Sequence, residues 1–270
     1  MASIDKALPE FAYLEVLATR ETPIHRLDPR AKLLATLVFV VMVVSFDRYA
    51  LSALFPFFLF PLVLVTRGGL PAGFLLRKTL LALPFAFMVG LFNPFFDRTP
   101  LLALGPVVIS GGWVSFASII LRALLTVGAS LALIAVTGFT GVCLSLERLG
   151  FPQVFAVQLL FLYRYLFILV EEGGRTARAR ELRSCGARGQ GIASYSSLVG
   201  NLLLRTWDRA ERIHRAMLSR GFQGEFHLRR TTRFGWRELV FVAGWSGLFV
   251  LFRLVNIPVL IGTLVTGVAG

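Results

Sequence analysis

Charge is scarce in this sequence. Only 16% of its 270 residues are Asp, Glu, Lys or Arg, while 56% are apolar. A soluble chain runs at roughly 25% charged and 45–50% apolar, so too few charges are present to cover a surface that faces water. Tyrosine is short as well, with 5 against 25 phenylalanines. One soluble core burying this much apolar side chain would need a far larger protein. Lipid is the second solvent.

Other absences exclude whole classes of chemistry. Cys143 and Cys185 stand far apart with no C-x-x-C, which leaves neither a disulfide framework nor a zinc site to argue. The three histidines, His25, His214 and His227, show no ligand spacing with one another, with cysteine or with carboxylates, so no metal site and no cofactor are expected from this chain alone. No G-x-x-x-x-G-K-[ST] occurs, so the chain itself is not expected to bind and hydrolyse ATP. The glycine-rich Cys185–Gly191 has no strand before it and reads as a turn. No paired intramembrane carboxylates suit acid–base work. The start, with Asp5, Glu10, Glu15 and Glu21, lacks the basic-then-apolar pattern of a signal peptide, and the first span is expected to direct insertion.

What charge there is lies unevenly. Between Arg175 and Arg237 stand 14 basic and 4 acidic residues, a net of +10 out of +13 for the chain. All 14 are arginine, which favours planar, bidentate partners. A basic module thus interrupts an apolar chain.

Apolar runs at 31–46, 49–66, 79–96, 113–140 and 239–252 predict about five transmembrane helices. The shorter ones require local thinning, and Pro56, Pro61, Pro84 and Pro94 are tolerated as kinks. Arg67, Arg77 and Lys78 make the 67–78 link the most basic of those between the early spans, placing it and the N-terminus on the cytoplasmic side. Four spans then return the chain to the cytoplasm near Gly141. A full crossing by 151–170 would put the arginines outside. That run, interrupted by Gln153, Gln158, Tyr163, Arg164 and Tyr165, is therefore expected to lie at the membrane boundary. Whether 254–268 crosses is left open by the sequence. The organisation is 1–140 for the N-terminal segment and four spans, 141–235 for the basic module, and 236–270 for the C-terminal membrane part.

Within the module, a helix is expected from Gln153, weakened or bent at Gly173-Gly174, and continuing to about Ser184. A second runs from about Ala193 to Arg220 and stops at Gly221. On it Leu203, Trp207, Ala210, Ile213 and Met217 line one face, and Arg205, Arg209 and Arg212 another. Each helix ends in an arginine followed by a small residue, Arg183-Ser184 and Arg220-Gly221. Such tips suit insertion into carboxylate-lined clefts, with the helix dipole and a bidentate pair both favouring the guanidinium. The plainer reading of any one arginine is ordinary cytoplasmic charge. Arg122, inside the 113–140 span, reads equally as a structural ion pair, a snorkelling residue or a transport residue.

These residues resemble the transmembrane T component of energy-coupling factor (ECF) transporters, cobalt-uptake (CbiQ-like) type. His25-Arg26-Leu27-Asp28-Pro29-Arg30-Ala31-Lys32 is similar to that family's entry to the first span. Ala179-Arg180-Glu181-Leu182-Arg183-Ser184 and Ala216-Met217-Leu218-Ser219-Arg220-Gly221 are similar to its two Ala-Arg-Gly-type signatures, with Leu182 and Ser219 departing from alanine and Ser184 from glycine. The resemblance implies an all-α integral membrane protein of the cell (inner) membrane with long cytoplasmic coupling helices. It implies a non-catalytic subunit joining two ABC-type ATPase subunits to a substrate-binding, cobalt-binding S component. Arg183 and Arg220 would be the docking arginines, Ser184 and Gly221 would permit close approach, and Ala179 and Ala216 complete the motifs. The ion itself would be held by the other membrane subunit.

Alternatives remain. A nickel or vitamin T component would share these residues. A membrane-embedded lipid or prenyl transferase, gripping a diphosphate with the basic module, needs acidic clusters, and the acids here are scattered. A membrane-anchored binder of nucleic acid or anionic lipid would show strong salt dependence across all the arginines.

Overall fold

The computed structural model describes residues 13–96, 100–104, 107–183, 192–222 and 234–255. In chain order come α1 (Pro29–Val44), a 3-10 segment (Ser52–Phe58) running into α2 (Leu59–Arg67), α3 (Ala72–Gly90) and one turn at Asn93–Phe96. Strands β1 (Pro100–Leu104) and β2 (Val107–Ser110) follow. Then come α4 (Gly111–Thr137), α5 (Phe139–Arg148), α6 (Gln153–Arg183), α7 (Ile192–Leu218) and α8 (Trp236–Leu254).

The expected all-α membrane architecture holds, with one small addition. The connector 97–112 contains a two-stranded antiparallel ribbon, Leu102 opposite Ile109 and Leu104 opposite Val107, where β-branched residues favour extended backbone. Among the described residues α3, α4 and α6 are long and apolar enough to cross a membrane. α1 and the apolar stretch Ser52–Arg67 are shorter, at 16 residues for α1, and fit only with local thinning or snorkelling flanks. By length and composition α6 qualifies too, although its first half reads from sequence as a boundary segment. Nearly all of 254–268 lies outside the described residues.

The chain divides into two compact units, residues 16–142 with 232–270, and residues 1–15 with 143–231. In the first, α4 packs against α1, α2 and α3, while α8 packs on α1 and the 3-10 segment. The reason α1 starts where it does is local. Asp28 Oδ1 accepts the Arg30 N–H at 2.9 Å, and Pro29 supplies the preset φ of a first helical position. Lys32, buried one turn on, donates to the Val136 carbonyl at 3.4 Å. It thereby places a cation at the C-terminal end of α4, where the helix dipole favours one.

Aromatic rings fill the centre of this unit. Phe39 of α1 is fully buried, its ring centroid 4.9 Å from Phe60, 5.4 Å from Phe249 and 6.0 Å from Phe57. These are the separations at which offset and edge-to-face pairs attract. Abundant phenylalanine is thus used for packing between helices rather than only for lipid contact.

Arg122 has a structural task. Its Nη2 donates to the Asp47 carbonyl at 2.6 Å, and Arg253 Nη2 donates to the Ser45 carbonyl at 3.3 Å. The Arg253 guanidinium also lies 5.1 Å from the Phe46 ring centroid. Two arginines from α4 and α8 therefore satisfy carbonyls just past the end of α1, the helix end that attracts cations.

In the second unit α6 is one unbroken helix of 31 residues. Gly173-Gly174 does not interrupt it, and Gly173 lies against α7, where a Cβ would stand at an ordinary contact distance of 3.6 Å from Leu202. The face of α7 with the least exposure runs Leu198, Leu202, Thr206, Ile213 and Met217. Of the residues read from sequence as one face, Leu203 and Trp207 are 66% and 71% exposed and Ala210 is exposed too, so only Ile213 and Met217 belong to the less exposed side. The Glu172–Arg205 pair, at 3.4 Å, and the Gly173–Leu202 contact accompany that rotation.

Candidate functional site: two arginine-tipped helices

The sequence-predicted tips sit at the ends of α6 and α7. Arg183 is the last described residue of α6 and is exposed; Ala179, one turn earlier, is exposed too. Ser184 lies outside the described residues.

At the other tip, helix chemistry defines the end. Gly221 takes φ +79°, with its N–H donating to Leu218 and the Phe222 N–H donating to Met217, both at 3.0 Å. These two bonds are the Schellman pattern, with glycine at the left-handed position that side chains disfavour. Among the described residues a Cβ at Gly221 would meet nothing within 4 Å, and the left-handed φ is what calls for glycine there. Arg220 precedes it as the exposed capping residue, and exposed Ala216 lies one turn back, its carbonyl accepting from Ser219 Oγ at 3.0 Å.

Three other arginines of these helices are engaged. Arg175 pairs with Glu171, Arg205 with Glu172, and Arg215 with Glu211. Among the described residues neither Arg183 nor Arg220 has a carboxylate partner, a state shared with Arg164, Arg209 and Arg212 within the helices. Position separates the tips from the other three.

The helices run antiparallel. Gly173 faces Leu202, Glu172 faces Arg205, and Tyr165, Ile168 and Leu169 share a small cavity with Asp208, Arg209 and Arg212. Measured from the Gly173–Leu202 contact, Arg183 lies about 15 Å along one direction and Arg220 about 27 Å along the other, at 1.5 Å per residue. The tips are thus roughly 40 Å apart. Sequence alone shows the two arginines; the antiparallel register that separates them comes from the glycine contact and the ion pair.

His25, quoted in the sequence resemblance, serves the fold. A carbonyl only accepts, so Nε2–H donates to Leu17 O at 3.1 Å and Nδ1 accepts from the Thr22 hydroxyl at 2.7 Å. Burial first, then the charge of Lys32, lowers its pKa. Both ring nitrogens are occupied. Among the described residues no group of three or more His, Cys, Asp or Glu side chains gathers as metal ligands would.

The family model for the cobalt transport protein CbiQ matches residues 20–232, a stretch that includes both tips. The Cobalt transport protein CbiQ of Salmonella typhimurium (strain LT2) is 29% identical over 161 residues, covering 55% of this chain and 71% of that relative. The Energy-coupling factor transporter transmembrane protein EcfT of Heliobacterium modesticaldum is 27% identical over 253 residues, 87% of this chain and 93% of the relative. A Putative fused cobalt transport protein CbiMQ of Methanocorpusculum labreanum is 30% identical over 89 residues, 33% of this chain and 15% of the relative.

Proposed function

Because the chain belongs to the CbiQ family of cobalt transport proteins, we propose that it is the coupling subunit of an ECF-type cobalt importer, with Arg183 and Arg220 docking into two separate ATPase subunits. One observation carries this reading. Two arginine tips set roughly 40 Å apart on one antiparallel helix pair are too distant to share a cleft, so each needs its own partner. A pair of like ATPase subunits supplies two equivalent clefts. Ala179 and Ala216, small and exposed one turn behind each arginine, leave room for a cleft wall; Ser184 and Gly221 do the same in front.

ATP hydrolysis then belongs to those partners, and cobalt binding to a separate membrane subunit. Placing α6 and α7 on the cytoplasmic side follows from the charge of their module. Residues of the 21–27 segment, Arg67 and Arg237, each assigned to that side by sequence, line one cavity of the first unit, which supports the assignment. The first half of α6 is then best placed at the boundary, with Tyr163 donating to Glu15 at 3.1 Å.

Purification of the full chain from its native membrane tests the class. ATPase subunits recovered at two per chain, with a further membrane subunit, are expected. Recovery of the chain alone, or with a single ATPase copy, would refute it.

A further inference from the structure

A cavity of about 700 Å³ opens where α2 ends and α8 begins, within the roughly 300–1,000 Å³ of small-molecule sites. Three guanidinium groups line it, from Arg26, Arg67 and Arg237. Its two carboxylates are otherwise employed: Glu21 lies 3.6 Å from Arg26, and Glu238 Oε2 accepts the Gly235 N–H at 3.0 Å. Arg67 and Arg237 have no such partner among the described residues.

The lining is tiered. Val63 stands four residues before Arg67, and Phe241 four residues after Arg237, and all four residues face the cavity. Residues four apart share a helix face, about 6 Å apart along the axis. Both helices therefore present an arginine at the rim and an apolar side chain one turn deeper. Trp236, 77% exposed beside Arg237, is the residue type that settles at the headgroup level of a bilayer.

From this geometry we infer that the cavity binds an anionic phospholipid, the phosphate forked by Arg67 and Arg237 and the first acyl carbons resting on Val63 and Phe241. Guanidinium binds phosphate bidentately, and basic pockets between membrane helices on the cytoplasmic side suit anionic headgroups. A free phosphate would use the rim alone and leave the apolar floor wet. The site stands on membrane residence and not on ATPase docking, so the two fail separately.

Native mass spectrometry of the full chain, titrated with phosphatidylglycerol, phosphatidylcholine or inorganic phosphate, tests it. Phosphatidylglycerol is expected to bind at least tenfold tighter than phosphatidylcholine. Arg67→Gln with Arg237→Gln should remove that preference, and Val63→Trp, which fills the floor and keeps both charges, should weaken phosphatidylglycerol at least fivefold. Equal binding of the two lipids, an unchanged preference in the arginine variant, undiminished phosphatidylglycerol binding in the Val63 variant, or inorganic phosphate displacing phosphatidylglycerol at equal concentration would overturn the assignment.

Discussion

Cobalt uptake falls to background in the Arg183→Ala, Arg220→Ala double variant expressed at wild-type level. Under the proposed docking, each truncation leaves cleft carboxylates buried and unpaired, at a cost on the order of 2–5 kcal/mol per site. Each 1.4 kcal/mol is tenfold in an equilibrium constant, so even the lower figure removes most docked complex at that tip. The single variants should retain part of the uptake, because one intact helix still reaches one ATPase subunit. Arg183→Lys and Arg220→Lys should recover only a fraction, since lysine keeps the charge and loses the fork. Arg178→Ala and Arg209→Ala, within the helices, should change uptake little. Near-normal uptake in the double variant would mark the tips as ordinary cytoplasmic charge.

The second large effect is on the fold. Phe39→Ala removes the ring shared by Phe57, Phe60 and Phe249 at the α1, α2 and α8 junction. That ring is completely buried, so its loss leaves a cavity that the surrounding helices fill poorly. Phe→Ala in soluble cores costs about 3–5 kcal/mol. Between membrane helices the transfer component is smaller, because lipid is itself apolar, and packing remains. We therefore expect the low end, about 3 kcal/mol. Thermal scanning of the purified variant in detergent should show an early transition and poor recovery from membranes. Phe85→Ala, at a site 77% exposed, should be close to neutral. Equal melting of the Phe39 variant and the wild type would contradict the packing account.

Sequence carried the membrane class, the positions of most helices and the two tips, because each rests on local chemistry. An apolar run is visible without its partner: 113–140 becomes Gly111–Thr137, and 31–46 becomes Pro29–Val44. Gly221 announces its left-handed turn by residue type alone. What depends on a neighbour stayed hidden. The rotation of α7 places Leu202 against Gly173 and exposes Trp207, and helical periodicity gives no rotation relative to a partner. Gly173-Gly174 resembles a breaker by residue type, yet α6 runs through it unbroken. Arg122 was open between structural and transport roles because its acceptor, the Asp47 carbonyl, lies 75 positions away. The ribbon in the connector needed both of its strands. Rim and floor of the α2–α8 cavity come from segments far apart in the chain, and no local motif marks them.

The claim that the two tips engage different ATPase subunits is open to cross-linking. Cys143 is buried, and Cys185, two residues from the first tip, is replaced by serine. In that background cysteine is placed at position 182, at 219, or at both, beside the two arginines and leaving them intact, and the chain is expressed with its native partners in membranes and treated with a short photoactivatable maleimide. Each single variant should yield a one-to-one adduct with an ATPase subunit, and the double variant a species of one chain with two. A double variant that traps only one ATPase copy, or tips that link to no ATPase while positions 178 and 209 do, would contradict the account.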